Sequence, residues 1–213
     1  MTSVALVPVN NKIARKVDNS SKMQQVRAGK EYAAPYVHHL KLEDIQRVVA
    51  VVKERDRLLI TFLFDSCFRV SEGLATRPCD IVQSKDGWLV HVLGKGRKRS
   101  VVALSASMAA QIQSYIYRHN IAPEARIFPI TRQRAHALIQ SIYNKAGIVV
   151  PDSVGACHLL RHSGAVARMR LTGNPKAVQD QLRHSSAAMT LRYLKTLSHE
   201  DSLKIQSGVD LGW

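Results

Sequence analysis

The chain has 213 residues, 46% of them hydrophobic, which is enough for one substantial domain with a buried core plus an appendage. Its 31 Lys and Arg outnumber 16 Asp and Glu, and the formal charge of +15 points to a polyanionic partner, nucleic acid first among them. The longest apolar stretch, Leu58 to Phe64, is far too short to span a bilayer, no lysine-rich amphipathic helix stands out, and the N-terminal MTSVALVPVNNKIARK lacks the apolar core and cleavage site of a signal peptide, so no membrane partner is expected.

Residues 1–37 are polar and carry six basic residues, Lys12, Arg15, Lys16, Lys22, Arg27 and Lys30, against two acidic ones. They read as a flexible basic arm touching DNA phosphates, with a short helix near Ser20 to Gly29. The globular part is expected from His38 to Trp213, with a tail from about residue 197. Glu43 and Asp44 suit the first turn of a helix, and Ile45, Val48, Val49 and Val52 repeat at helical spacing. A second helix presents Leu58, Leu59, Phe62 and Leu63 and ends before Arg69. Trp88 to Leu93 and Ser100 to Leu104 read as a β-hairpin around the turn Gly94-Lys95-Gly96-Arg97-Lys98. Helices follow from Ser107 to His119 and from Thr131 to Ala146, the latter with Thr131 as N-cap and Gly147 past its end. Another runs from His158 to Leu171 and is ended by Gly173. Asn174 caps the next, with Pro175 in its first position. Cys67, Cys79 and Cys157 are odd in number and far apart, which fits a reducing cytoplasmic setting without disulfides.

Four segments concentrate reactive side chains beside apolar periodicity: Cys67-Phe68-Arg69-Val70-Ser71-Glu72, the turn around Lys95, His158-Leu159-Leu160-Arg161-His162-Ser163, and Leu182-Arg183-His184-Ser185 followed by Tyr193. Two arginine forks can hold a phosphate and stabilise the added charge of a pentacoordinate transition state. His158 and Arg161, three apart, share one side of a helix. A histidine exchanges protons near neutrality, a lysine can protonate a leaving oxygen, and a tyrosine assisted by a base attacks phosphorus. Taken singly, each has a plainer reading. Arg69 can be a helix-end arginine and Lys95 to Arg99 a solvated turn, in which Lys98 is an alternative to Lys95. Tyr193 can be a packing tyrosine like Tyr115, Tyr117 and Tyr143. His158 and His162, four apart, lack the third ligand that zinc needs. Order and spacing together argue for a site.

Together these segments resemble the tyrosine recombinases: phage integrases, Xer-type resolvases and fimbrial-switch invertases. The resemblance covers roughly residues 40–196 and implies a mainly α (α+β) catalytic domain with a small antiparallel sheet carrying Lys95. It implies strand cleavage and rejoining through a 3′-phosphotyrosine bond to Tyr193, with no metal, ATP or other cofactor. Arg69 and Arg161 would hold the non-bridging oxygens, Lys95 would protonate the 5′ oxygen, His158 would assist proton transfer at the nucleophile, and His184 would hydrogen-bond the phosphate. Arg97, Lys98, Arg99, Arg183 and Arg192 are expected DNA contacts.

The partners implied are double-stranded DNA and a homo-tetramer on two paired sites whose C-terminal tails pack between protomers, with an accessory DNA-binding protein open, at a prokaryotic or phage nucleoid. A type IB topoisomerase-like relaxation activity and a silent DNA-binding role are the alternatives. Two features depart from the pattern. The third box usually reads Leu-Gly-His, whereas Arg183 stands here in place of the glycine, where it either adds a phosphate contact or alters the turn. The helical core-binding module that usually precedes the catalytic domain needs roughly 80 to 100 residues, more than the segment before His38 supplies. The fimbrial-switch invertases are similarly short.

Overall fold

The computed structural model describes residues 37–93 and 99–194. The expected arm with its short helix, the turn holding Lys95, Arg97 and Lys98, and the tail from residue 195 lie outside the described residues. Those described form eight α-helices and a three-stranded antiparallel sheet of order β1-β2-β3.

Helix α1 (Leu42–Ala50) has Glu43 and Asp44 in its first turn, and the Asp44 carboxylate accepts the Lys41 N–H at 2.9 Å. Helix α2 (Glu54–Ser66) buries Leu58, Leu59, Ile60, Phe62 and Leu63, and it stops where Cys67 turns left-handed at φ 53°. A six-residue helix, α3 (Val70–Ala75), then starts at Arg69.

Strands β1 (Ile81–Ser84), β2 (Gly87–Leu93) and β3 (Arg99–Leu104) follow. The β2–β3 pair, from Trp88 opposite Leu104 to Leu93 opposite Arg99, is the expected hairpin, and alternation turns Val90, Val92, Val102 and Leu104 into the core. Strand β1, which pairs Ile81 with Val90 and Ser84 with Gly87, is the addition to that expectation. It is four residues long and half-exposed without alternation, so it carries no period-2 signal.

Helices α4 (Ala106–Arg118), α5 (Arg132–Lys145), α6 (Ala156–Thr172), α7 (Pro175–Leu182) and α8 (Ala187–Leu194) complete the described chain. Their ends follow local chemistry. The Ser105 hydroxyl accepts from Met108 N, the Thr131 hydroxyl from Arg134 N, and the Asn174 side chain from both Lys176 N and Ala177 N. Gly173 closes α6 at φ 59°.

The main core joins α1, α2, the sheet, α4, α5 and the first half of α6 around Phe62, Phe68, Phe128 and Tyr143. A smaller cluster of Val37, Cys67, Ala165, Val166, Met169, Val178, Leu182 and Tyr193 packs α7 and α8 against the second half of α6. Helix α6 therefore belongs to both cores, and α2 lies along it. Arg168 reinforces that seam: its guanidinium donates to the carbonyls of Phe64, Asp65 and Gly164.

The closest approach in the seam is at Gly164. A Cβ there would collide with the Phe64 carbonyl oxygen and lie 2.9 Å from Cys67 Sγ. At Gly73 the obstacle is the Leu63 side chain, which can rotate. Gly164→Ala should therefore lower stability by about 2 kcal/mol or more, and Gly73→Ala by clearly less, as read from urea midpoints of the two variants. Equal small shifts would contradict the seam.

Candidate active site

The site forms where the C-terminal ends of α2 and α7 meet the first half of α6. Arg161 makes this junction. It is 4% exposed, and its guanidinium donates to the Cys67 carbonyl after α2 and, at 2.8 Å, to the Leu182 carbonyl that closes α7. Helix ends leave such carbonyls without intrahelical partners, and one planar fork satisfies both. Burial first, then Arg69, bring the Arg161 pKa down to about 10, so it remains a cation at neutral pH.

Arg69 is the residue from which α3 starts. One turn on, Glu72 accepts its backbone N–H at 2.8 Å and its Nη1 at 2.9 Å. The same carboxylate, 6% exposed, accepts Arg183 Nη2 at 2.5 Å. Burial works to raise the Glu72 carboxyl, but Arg183 and Arg69 outweigh it and hold the pKa below the usual carboxylate range. The two arginines face opposite ways. The Arg69 side chain is 41% exposed and borders a cleft of about 130 Å³, together with Ser71, Arg132, His136, His158 and Arg161.

The Arg183 side chain, 11% exposed, points inward and lies over the Phe68 ring at 5.1 Å. At Arg183, which the sequence marks as a DNA contact, the charge meets Glu72 here. Its backbone explains the glycine usual at this position, because Arg183 is left-handed at φ 54°, a conformation costing a residue with Cβ roughly 1 kcal/mol. An ion pair with Glu72 and a contact with the Phe68 ring accompany this left-handed conformation.

Tyr193, on α8, is 3% exposed, and its hydroxyl lies 2.9 Å from His162 Nδ1. The His184 ring stacks beside it at 6.3 Å, with Nδ1 held 2.9 Å from Thr190 Oγ1. Burial raises the tyrosine pKa and Arg161 opposes it. Burial pushes both His162 and His184 down to about 4, helped by His158 and Arg192 at His162 and by Arg161 and Arg69 at His184. His158 is lowered by burial, then by Arg161, His136 and Arg69. A neutral imidazole pair thus flanks the phenol, and a cationic cleft adjoins them. Among the described residues no three His, Cys, Asp or Glu side chains are gathered to hold a metal ion.

Of the residues expected from the sequence, Arg69, His158, Arg161, His184 and Tyr193 come together here, and Arg192 adjoins them on α8. Arg99 is exposed and borders a different cleft with Arg77, Asp80 and His91. The histidine at the tyrosine hydroxyl is His162, where the expectation named His158. Glu72, Arg132 and His136 were not singled out for a role. The four-residue spacing of Arg132 and His136 was visible, but nothing in the sequence linked α5 to the other boxes.

Residues 38–200 match the phage integrase family, and the chain belongs to it. Tyrosine recombinase XerC of Methylobacterium nodulans is 29% identical over 167 residues, which are 75% of this chain and 49% of that protein. Tyrosine recombinase XerA of Thermococcus kodakarensis is 30% identical over 172 residues, 75% and 59% of the two chains. The chain thus spans about half the length of the curated relatives it matches. Among solved structures, XerA recombinase superposes with a TM-score of 0.65 at 22% identity, over 84% of this chain and 67% of that one. The XerH site-specific recombinase bound to difH substrate does so with a TM-score of 0.64 at 22% identity, over 80% and 53%. At these identities the structural likeness is one of fold.

The neutral imidazoles have a measurable consequence. In the unfolded chain histidines take a proton near pH 6.5, whereas folded His162 and His184 resist protonation down to about 4. Between those limits the unfolded state binds more protons, so stability falls as pH falls through that window. Glu72, held below its usual range, adds a loss at still lower pH. The thermal midpoint of the DNA-free protein should decline steadily from pH 6.5 to 4. A flat midpoint there would contradict the buried neutral pair.

Proposed function

We propose that this chain is a site-specific DNA recombinase, an integrase-type enzyme that cuts and rejoins double-stranded DNA through a 3′-phosphotyrosine bond to Tyr193. The observation carrying this reading is the Tyr193 hydroxyl, seated on His162 and acted on by the buried Arg161 cation. A phenol buried for packing alone needs no ring of two neutral imidazoles beside a cleft bordered by arginines.

In the proposed reaction, a scissile phosphate enters the cleft and its non-bridging oxygens meet Arg69 and Arg161, with His158 beside them. Charge gathers on those oxygens as Tyr193 attacks, and fixed guanidinium groups stabilise it without reorganising. His184, next to the phenol, hydrogen-bonds the phosphate. Lys95 protonates the departing 5′ oxygen, and attack by a partner strand's 5′-hydroxyl reverses the step. Bond energy stays in the phosphotyrosine, so rejoining needs no nucleotide.

Three observations support DNA as substrate: the +15 charge, the recombinase names of the relatives, and the substrate-bound form of XerH. The working assembly proposed is a homo-tetramer on two paired sites. Phosphate contacts from Arg97, Lys98, Arg99 and Arg192 would anchor each protomer.

The test uses a suicide substrate nicked near the cleavage site, resolved on a denaturing gel. The native protein should form a covalent adduct that persists in excess EDTA, because guanidinium and ammonium groups carry the charge a metal would otherwise carry. Tyr193→Phe should bind the same DNA and form no adduct. An adduct in that variant, or a strict magnesium requirement for cleavage, would overturn this reading.

A further inference from the structure

Resting on that reading, we propose that His162 is the base that takes the Tyr193 hydroxyl proton during strand cleavage. The geometry separates the two histidines of α6. His158 borders the cleft with Arg69 and Arg161, whereas His162, one turn further along, makes the 2.9 Å hydrogen bond to the attacking oxygen. Their ring centroids are 6.3 Å apart, so the two sit side by side with different partners. His184, the third imidazole, has its Nδ1 engaged by Thr190 and presents its ring face to the phenol.

With its proton on Nε2, the neutral His162 ring accepts from the Tyr193 hydroxyl at Nδ1. As the phenolic oxygen bonds to phosphorus, its proton passes to Nδ1 and the bond from phosphorus to the 5′ oxygen breaks. That oxygen leaves with a proton from Lys95. In the reverse step the His162 imidazolium returns its proton to the departing tyrosine oxygen, so protons balance over a cycle without an external base.

The surroundings suit this transfer. His162 is faced by His158 and Arg161 from α6, by Arg192 and Tyr193 from α8, and by His184 from the turn between α7 and α8. Burial first, with the Arg192 and Arg161 charges, keeps the ring unprotonated and ready to accept at neutral pH, while an incoming phosphate supplies the negative charge that favours imidazolium. Arg161 and His162 are adjacent on α6, and the Arg161 charge opposes the burial-driven rise of the Tyr193 pKa.

The experiment is single-turnover cleavage of a suicide substrate by full-length native protein, His162→Ala and His162→Gln, with thermal midpoint and DNA affinity measured alongside. Adduct formation should fall about 100-fold or more in both variants, with DNA affinity retained. Glutamine can hydrogen-bond the phenol but cannot take its proton. Without the base, hydroxide must remove the proton, so the variant rates should climb about tenfold per pH unit above neutrality, while the native rate stays nearly level. Added imidazole should restore cleavage to His162→Ala.

Native-like cleavage by His162→Gln would reduce His162 to a positioning residue and overturn the proposal. Faster cleavage by His162→Ala would do the same, by showing that the bond merely holds the tyrosine in place. If His162→Ala fails to fold, the pH profile of His162→Gln decides alone. A native protein that forms no adduct would sink the recombinase reading itself, a result distinct from loss confined to the variants.

Discussion

Arg69, Arg132 and Arg161 border one cleft, and gathered cations repel one another. Glu72 resolves that conflict. One buried carboxylate accepts Arg69 from the cleft side and Arg183 from the interior, and it also accepts the backbone N–H from which α3 starts. Removing one partner of the buried Glu72–Arg183 pair leaves an uncompensated charge. Arg69 keeps 41% of its side chain exposed because its position, but not its whole fork, is used by Glu72. Arg183 meets the same carboxylate from a left-handed turn.

Arg161 extends this logic to the backbone. The carbonyls of Cys67 and Leu182 come from stretches more than a hundred residues apart, and one guanidinium closes both helix ends. The turn into α3 and the turn into α8 are thereby tied to one point on α6. Arg69 sits just beyond the first, and His184 and Tyr193 lie beyond the second. Helix α6, wedged between two cores and locked against α2 at Gly164, is the rigid element on which His158, Arg161 and His162 are spaced. Electrostatics and packing meet there, where α2 and α6 approach most closely at Gly164.

Much of this was legible in the sequence because it is local. The caps at Thr131 and Asn174, Pro175 in a first turn and the stop at Gly173 follow from side-chain chemistry within a few residues. Arg69, His158, Arg161, His184 and Tyr193 were legible as an ordered pattern. The rest depends on contacts across the chain. Strand β1 and helix α3 are too short to show a period of their own. Nothing in the order of residues says that Arg183 turns inward to a glutamate 111 positions earlier. Nor does spacing tell His158 from His162, because both are near one face of α6 and only the docking of α8 decides which meets the tyrosine. Arg132 and His136 reach the cleft because α5 packs beside α6, a tertiary fact.

The buried Glu72 carboxylate sets the position of Arg69 and so the geometry of the cleft that Arg69 borders. Single-turnover cleavage by Glu72→Gln at saturating DNA tests it most directly, with DNA affinity measured on the same preparation. Removing a negative charge from a basic site should leave affinity for DNA unchanged or raise it, so a loss of binding cannot explain a loss of rate. Cleavage should be slower by about 100-fold, the scale expected for a reacting group displaced by an ångström. Cleavage at the native rate, with affinity intact, would contradict it.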